Sequence, residues 1–352
     1  MRRKPSGSSL SSGRKKRGKR KIGPVALFFR RMVFSSVAMV ALLSLIGGWF
    51  VSHPAQWLSD KRDDWPGFVT TALFYFGDRA VMLTDGLGLT GHDAVYDFDE
   101  PPPSNSVMFA GAPVRVGAPA PDDVRIVDRG DFLIGWSPSL KHPLWVAYHV
   151  PAEKAYEPGK RPNFRADPSV AGSPSATWYK GSGFDRGHMA PNYAIATRFG
   201  TDAQKKTFYM SNVAPQRPGL NRGPWREMEH RIADLWTAKY GEIWVIVGCV
   251  PGDEGERLAS GVDAPKAFWQ VVVAQTADGV RALAVYMPQN IPYSAFPVHN
   301  IVTIDELERR TGLDFFPDMP DFLERPLEAD LPTRLWPVRF IDIFRLILLR
   351  FV

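Results

Sequence analysis

Phe184-Asp185-Arg186-Gly187-His188-Met189-Ala190-Pro191 is followed along the chain by Ser211-Asn212-Val213-Ala214-Pro215-Gln216 and by Leu220-Asn221-Arg222-Gly223-Pro224-Trp225. A carboxylate, Glu229, lies a few residues further on. This stretch therefore gathers a histidine, several arginines, two asparagines and a glutamate. Hydrolysis of a phosphodiester needs a base for water, positive charge beside the phosphate and ligands for a metal ion. The stretch predicts such a site with one metal ion.

His188 and Arg186 are the first candidates in this stretch. A neutral imidazole is suited to take a proton from water near neutral pH. The forked guanidinium of Arg186 can face a phosphate as its negative charge grows. A structural interpretation stays open, in which Asp185 and Arg186 form an ion pair that stabilises a turn.

Asn221 lies just ahead of a predicted helix over residues 224–240, which contains Glu229 and in which Pro224 suits the first turn. At 3.6 residues per turn, one face of this helix is an apolar stripe with Glu229 at its edge: Trp225, Met228, Ile232, Leu235 and Trp236. A partly buried carboxylate needs a partner, which would be an arginine or the water shell of a metal. Magnesium needs few protein ligands, so one asparagine oxygen can suffice. Asparagine beside glycine or proline is also common in plain turns.

The motifs together resemble the DNA/RNA non-specific endonucleases, the ββα-metal nucleases that include endonuclease G and secreted bacterial nucleases. The resemblance begins at Gly181-Ser182-Gly183 and runs in order to Met228-Glu229. It implies an α+β fold with a central, mainly antiparallel sheet flanked by helices. Two departures from the family pattern, Cys249 and Met228, lie outside the proposed chemistry.

The resemblance also implies a role for each matching residue. His188 matches the general base, Asn221 the direct Mg²⁺ ligand, and Glu229 the acid that holds metal-bound water. Mn²⁺ is an expected substitute for Mg²⁺. The remaining matches concern the substrate: Arg186 near the scissile phosphate, then Asn212, Arg222, and either Arg161 or Arg165.

The charge of the chain is concentrated at its start. The first 31 residues carry twelve of the 43 Lys and Arg residues and no acidic residue, although the formal net charge of all 352 residues is +6. The remainder has 31 basic and 37 acidic residues, so a nucleic acid must be held there by a local patch. The one cysteine, Cys249, excludes an intramolecular disulfide and a multi-cysteine zinc site.

Residues 1–31 are predicted to be a basic disordered tail in the cytoplasm, followed by a transmembrane signal anchor at 32–52. This segment carries no charge and matches the length of about 20 residues that a bilayer requires. The basic tail predicts a cytoplasmic N-terminus with the rest exported, as in the periplasm. A cleaved signal peptide and a mitochondrial presequence, leading to the intermembrane space, stay open.

The rest of the chain divides into three predicted regions: a spacer at 53–123, an endonuclease domain at 124–325, and a linker with an apolar amphipathic helix at 326–352. Strands are predicted in the runs 132–136, 144–150, 243–249, 268–274 and 282–287. Helices interrupt them without regular alternation, which favours α+β. Residues 340–352 would lie in a membrane surface or against the protein's own core.

The sequence thus predicts a membrane-anchored, metal-dependent endonuclease that hydrolyses both DNA and RNA. Dimerisation with a second copy is left open. The alternative is a non-catalytic nucleic-acid-binding protein, or an envelope protein, that retains the nuclease scaffold.

Overall fold

A computed structural model describes residues 92–96, 104, 107–253 and 256–338. The strands in chain order are β1 (Ala94–Tyr96), β2 (Val114–Arg115), β3 (Arg125–Asp128), β4 (Phe132–Ser137), β5 (His142–Val150), β6 (Asp185–His188), β7 (Val213–Gln216), β8 (Ile243–Val250), β9 (Ala267–Thr276), β10 (Gly279–Pro288), β11 (Ile301–Val302) and β12 (Leu313–Asp314). Within the described part of the chain, the main sheet has eight strands in the order β1-β10-β9-β8-β5-β4-β3, with β11 also paired to β10. All of its pairings are antiparallel. The predicted strands at 132–136, 144–150, 243–249, 268–274 and 282–287 are confirmed.

The central strands are covered on both faces, which explains their unbroken apolar sequences. Every residue of β5 and of β8 is buried. An antiparallel strand with one wet face would alternate apolar and polar residues instead. Successive side chains of β8 enter two different cores: Val245 packs in the core under the 218–240 region, and Ile246 in the core on the other side. The sheet therefore separates two layers of helices.

These layers are formed, in the described part of the chain, mainly by four helices, of which the second is long and irregular. Helix α1 is Asn192–Thr207, with a kink at Gly200, whose φ is 83°. The second region is continuous and consists of Pro218–Leu220, Asn221–Trp225, Arg226–His230, Arg231–Trp236 and Thr237–Tyr240, the second and fourth segments being π-helical. We call it the 218–240 helix. Helices α2 (Ile304–Thr311) and α3 (Asp321–Ala329) follow near the end of the described chain.

A small ribbon precedes the 218–240 helix. Among the described residues, strands β6 and β7 pair only with each other, antiparallel, with Asp185 opposite Gln216 and His188 opposite Val213. Strand, strand and helix thus form one β-β-α unit that carries all three sequence motifs. The α+β prediction, with an antiparallel sheet and flanking helices, is confirmed.

Residues outside the predicted domain 124–325 also contribute to the core. Phe109 is 1% exposed, and Trp336 is fully buried. The indole nitrogen of Trp236 donates a hydrogen bond to the carbonyl of Trp336 at 2.8 Å. Strand β2 pairs with β12. The folded unit therefore extends in both directions beyond those limits.

The described ranges contain no helix that is both long enough and apolar enough to cross a membrane. The predicted anchor at 32–52 and the predicted amphipathic segment at 340–352 both lie outside the described residues.

Candidate active site

A pocket of about 640 Å³ opens where the β6–β7 ribbon meets the start of the 218–240 helix. Its lining contains most of the residues that the sequence proposed, together with four that it did not. The lining residues are Arg161, Phe164, Asp185, Arg186, His188, Asn221, Arg222, Arg226, Glu229 and Tyr293. Residues far apart in the chain therefore meet in one place.

Size alone does not identify this pocket. A larger one, of about 810 Å³, is lined by Asp93, Lys239, Arg281 and Arg334 among others. There Asp93 accepts hydrogen bonds from both Arg281 and Arg334, so the carboxylate and the two guanidinium groups are paired with each other. It contains no side chain from the three motifs, and its chemistry is that of a structural ion-pair network.

The ribbon fixes the position of His188 through a close approach at Gly187. A Cβ atom on Gly187 would lie 2.0 Å from the side-chain oxygen of Gln216, which is fully buried in β7. Only glycine therefore allows the two strands to pack at this point. The next residue, His188, lies at the end of β6 and faces the pocket.

Aromatic rings hold the imidazole of His188. The ring of Phe164 lies 5.0 Å from it, and that of Phe208 lies 4.9 Å from it, edge-on. The Nε2 atom is shielded and has no hydrogen-bond partner among the described residues. Burial, together with the positive charge of Arg161, lowers the pKa of His188 to about 3. The imidazole is thus neutral at neutral pH, the form that a general base requires.

Asn212 lies behind His188 and not in the pocket lining. It is fully buried, and its amide is satisfied by the main chain. Its Oδ1 accepts from the Ala190 N–H at 2.9 Å, and its Nδ2 donates to the carbonyls of Ala190 and Thr207 at 2.9 and 3.0 Å. A direct contact with substrate would require these bonds to break. In this structure Asn212 fixes the backbone that follows His188.

Asn221 lies in the π-helical segment at the start of the 218–240 helix. Two residues make this turn irregular: Gly223 departs from helical geometry, and Pro224 has no N–H to donate. A Cβ on Gly223 would lie 2.5 Å from the carbonyl oxygen of Tyr293, so the 218–240 helix and the loop with Tyr293 touch here. Single π-turns are frequent at functional sites because they redirect a side chain.

Asp185 orients Asn221. One oxygen of Asp185 accepts from Asn221 Nδ2 at 2.9 Å and from Arg222 Nε at 2.9 Å, and the other accepts from an Arg222 terminal nitrogen at 2.7 Å. Burial by itself would raise the pKa of Asp185, but these donors outweigh burial and lower it. Because Nδ2 is engaged, Asn221 Oδ1 is the atom left for another ligand.

Glu229 lies about two turns after Asn221 along the 218–240 helix, and the predicted apolar stripe beside it is confirmed. Trp225, Met228, Ile232, Leu235 and Trp236 are all at most 1% exposed. Burial raises the pKa of Glu229 to about 7, although Arg161 and Arg226 act in the opposite direction. No lysine or arginine in the described ranges forms an ion pair with Glu229, so the predicted arginine partner is not found there.

The structure separates the two upstream arginines. Arg161 lines the pocket and influences both His188 and Glu229. Arg165 is absent from the lining and lies over the ring of Tyr209, with its Nη2 donating to the Tyr209 hydroxyl at 3.1 Å. Arg186 is exposed and lies over Phe164 at 5.0 Å. Arg222 lines the pocket as well, but it is paired with Asp185.

Four lining residues carried no functional prediction: Phe164, Asp185, Arg226 and Tyr293. Asp185 had been interpreted as a partner of Arg186, its neighbour, whereas its partners come from the 218–240 helix. Arg226 lies one helical turn before His230 and three residues before Glu229, so helical spacing could have placed it at the site. Phe164 and Tyr293 lie in segments without periodicity, and no sequence signal points to them.

A hard cation such as Mg²⁺ fits this donor set. The available atoms are the Asn221 amide oxygen and the Glu229 carboxylate, both of which are oxygen ligands that Mg²⁺ accepts. The orientation of Asn221 by Asp185 is the kind of outer support that metal ligands commonly receive. The chemistry of the side chains therefore agrees with the sequence-based metal prediction.

Comparisons with known proteins agree with this geometry. The family model described as DNA/RNA non-specific endonuclease matches residues 110–322. Mitochondrial endonuclease G of Bos taurus is 32% identical over an alignment of 239 residues that covers 60% of this chain and 79% of that protein. A nuclease of Serratia marcescens is 29% identical over 227 residues, 61% of this chain and 84% of that protein.

A solved structure is also similar. The crystal structure of the EndoG/EndoGI complex matches with a TM-score of 0.50 and 28% identity, covering 58% of this chain and 90% of that chain. The family match spans more than half of this chain and includes every motif residue discussed above. The chain therefore belongs to the DNA/RNA non-specific endonuclease family, whose members are metal-dependent enzymes that hydrolyse phosphodiester bonds.

Proposed function

We propose that this protein is a magnesium-dependent endonuclease that cleaves both DNA and RNA in the pocket at the β-β-α unit. One observation carries the proposal. The pocket brings together a neutral histidine, an asparagine oxygen, a partly buried glutamate and exposed arginines: His188, Asn221, Glu229, Arg161 and Arg186. That set meets each requirement of phosphodiester hydrolysis.

His188 is proposed to take the proton from the attacking water. Its low pKa keeps the imidazole unprotonated at neutral pH, which is the form that can accept a proton. Phe164 and Phe208 restrict the rotation of the ring. Asn212 fixes the main chain just after it, and we assign Asn212 a positioning role on that basis.

Asn221 and Glu229 would hold the Mg²⁺ ion, Asn221 directly and Glu229 through water. When bound, the ion supplies positive charge that stabilises the more negative phosphate. Asp185 keeps the Asn221 oxygen available by accepting from the amide nitrogen. Arg222 neutralises Asp185, so we propose that its contribution to substrate binding is indirect.

Arg161, Arg186 and Arg226 are proposed to bind the phosphates. All three are exposed and face the same pocket. Contacts to phosphate position a nucleic acid without reading its sequence. A pocket whose charged donors are arginines therefore favours cleavage of both DNA and RNA with little sequence preference.

The wider setting is proposed from the sequence and from the names of relatives. Several relatives carry the word mitochondrial in their names, which supports the mitochondrial alternative for this chain. The membrane anchor at 32–52 and a periplasmic location rest on the sequence alone. Fractionation of cells, followed by protease protection of the catalytic domain, would distinguish a membrane-anchored protein from a released one.

Two further proposals concern organisation. We propose that the catalytic domain includes residues 107–338, because Phe109 and Trp336 are part of its cores. A homodimer remains a proposal, and sedimentation of the purified protein at several concentrations tests it.

The activity test uses the full chain with supercoiled plasmid and with structured RNA. Each substrate is incubated with Mg²⁺, with Mn²⁺ and with a chelator, and the His188→Ala and Asn221→Ala variants run alongside. The proposal expects metal-dependent cleavage of both substrates that both variants lose while folded. Salt-sensitive binding without cleavage by the unmodified protein would favour the non-catalytic alternative instead.

A further inference from the structure

Three carboxylates meet away from the nuclease pocket. Asp305 and Glu308 lie on α2, and Glu328 lies on α3. One oxygen from each lies within 4.8 Å of the others. We call these three residues the acidic cluster. Two oxygens bound to one calcium-sized ion at about 2.4 Å can be at most about 4.8 Å apart, so the spacing suits a shared cation.

The acidic cluster lies on the opposite face of the main sheet from the nuclease pocket. Leu307 of α2 and Leu327 of α3 pack in the same core as Ile246 of β8. Met228 of the 218–240 helix packs in the other core, with Val245. A cation at the acidic cluster would therefore be separate from the catalytic one.

Acidic side chains often lie together without binding a metal, so closeness alone decides nothing. Glu328 provides the second observation. This residue is 5% exposed, and its Oε1 atom is inaccessible and accepts no hydrogen bond in the described part of the chain. An ionised carboxylate without a donor is strongly unfavourable in such a place. A cation would satisfy it.

No basic side chain of the described ranges forms an ion pair with the acidic cluster. Arg309 and Arg310, on the same helix as Asp305 and Glu308, both bind Glu306 instead. The only hydrogen bond to the Glu308 side chain there comes from the Phe315 N–H, at 2.7 Å. A bound proton or a bound cation is therefore needed to relieve the repulsion among these carboxylates.

We propose that the acidic cluster binds one hard divalent cation, with Asp305, Glu308 and Glu328 as oxygen ligands, and that this ion joins α2 to α3. Carboxylate oxygens are the ligands that Ca²⁺ and Mg²⁺ prefer. Asp305 is exposed, so water can complete the coordination shell on the outer side. The ion is structural and stabilises the helical layer that lies opposite the nuclease pocket.

The test measures thermal unfolding of the full chain and its Asn221→Ala variant, with Ca²⁺, with Mg²⁺ and with a chelator. The Asn221→Ala background removes the proposed catalytic metal ligand, so a failure there says nothing about the nuclease. In that background we expect one of the two cations to raise the melting temperature by several degrees. The cation that does so identifies the occupant, and isothermal titration should give one equivalent bound.

The decisive variant is Glu328→Gln, which keeps the size of the side chain and removes its charge. It should be more stable than its parent in chelator and should lose the cation-dependent shift. The matched control is Glu306→Gln, on the same helix but outside the acidic cluster, and it should keep the shift. If neither cation shifts the Asn221→Ala protein, or if Glu328→Gln responds like its parent, the acidic cluster holds a proton and the proposal is overturned.

Discussion

The helical layers on the two faces of the main sheet carry clusters of opposite charge. On the face of the 218–240 helix, exposed arginines surround one neutral histidine and one partly buried glutamate, Glu229. On the other face, Asp305, Glu308 and Glu328 meet with no ion-pair partner among the described residues. Positive charge is gathered at the pocket where we propose that a nucleic acid binds, and negative charge lies on the face where we propose no substrate site.

The difference shows how a nuclease with an acidic globular part can hold a nucleic acid. Without the first 31 residues the chain has more acidic than basic residues, so long-range attraction is weak there. Several arginines line one pocket and give it a local positive charge, although the net charge of this part of the chain is negative. Substitutions on the catalytic face should therefore change activity more than stability, and those on the opposite face should do the reverse.

The largest effect is expected for His188→Ala. Loss of a general base should lower kcat/KM about 10²- to 10⁴-fold, because the attacking water then has no positioned acceptor for its proton. Its melting temperature should stay close to that of the unmodified protein. Initial rates on plasmid DNA measure the effect, with Glu328→Gln as the opposite-face control. A fall in activity of equal size in both variants would contradict the proposed difference between the two faces of the sheet.

Asp185→Ala should have the next largest effect. Without Asp185 the amide of Asn221 loses its anchor, and Arg222 loses its partner. Removal of such outer support typically lowers metal affinity about 10- to 100-fold. The concentration of Mg²⁺ for half-maximal activity should rise accordingly. Asp202→Ala, an exposed aspartate paired only with Lys205 among the described residues, should leave it unchanged.

Asn212→Ala should change stability although it is on the same face as the pocket, because Asn212 is buried and bonded to the main chain. Its three hydrogen bonds to buried main-chain groups would be lost, at an expected cost of about 3 kcal/mol in the free energy of unfolding. Urea denaturation measures this. The exposed Asn163→Ala serves as the control. An unchanged stability with a raised KM would instead indicate that Asn212 contacts the substrate.

The smallest effect concerns pH. His188, with a pKa of about 3, stays neutral above that value, whereas Glu229, with a pKa of about 7, gains a proton as the pH falls through 7. If the carboxylate form is needed, kcat/KM should decline about tenfold per pH unit below that point. The decline should move to lower pH as the Mg²⁺ concentration rises, since a cation favours the carboxylate. A Glu229→Gln variant that kept this acid limb would assign it to another group.

The sequence predicted the elements whose pattern is local. The apolar stripe from Trp225 to Trp236 follows helical spacing, and the runs within β8 and β9 are continuous because both faces of those strands are buried. The β-β-α unit was predicted through the resemblance, since its motifs are short and lie in order. Helix α1 (Asn192–Thr207) continues through the kink at Gly200, a break that no uninterrupted helical pattern would indicate.

Contacts between distant segments could not be predicted from the sequence. Arg161 and Arg165 lie four residues apart in an irregular segment, and only the fold directs the first to the pocket and the second to Tyr209. Asn212 resembles a turn residue in sequence, and its complete burial depends on how α1 and the ribbon pack. Glu308 and Glu328 are separated by a loop and meet only because α2 and α3 share a core.

The most direct test of the central claim is anomalous X-ray diffraction from crystals of the full chain grown with Mn²⁺. We expect a manganese peak within coordination distance of Asn221 Oδ1, on the Glu229 side of the pocket, that is absent from Asn221→Ala crystals. If dissolved crystals cleave DNA with Mn²⁺ but no peak lies beside Asn221, the proposed metal site is contradicted.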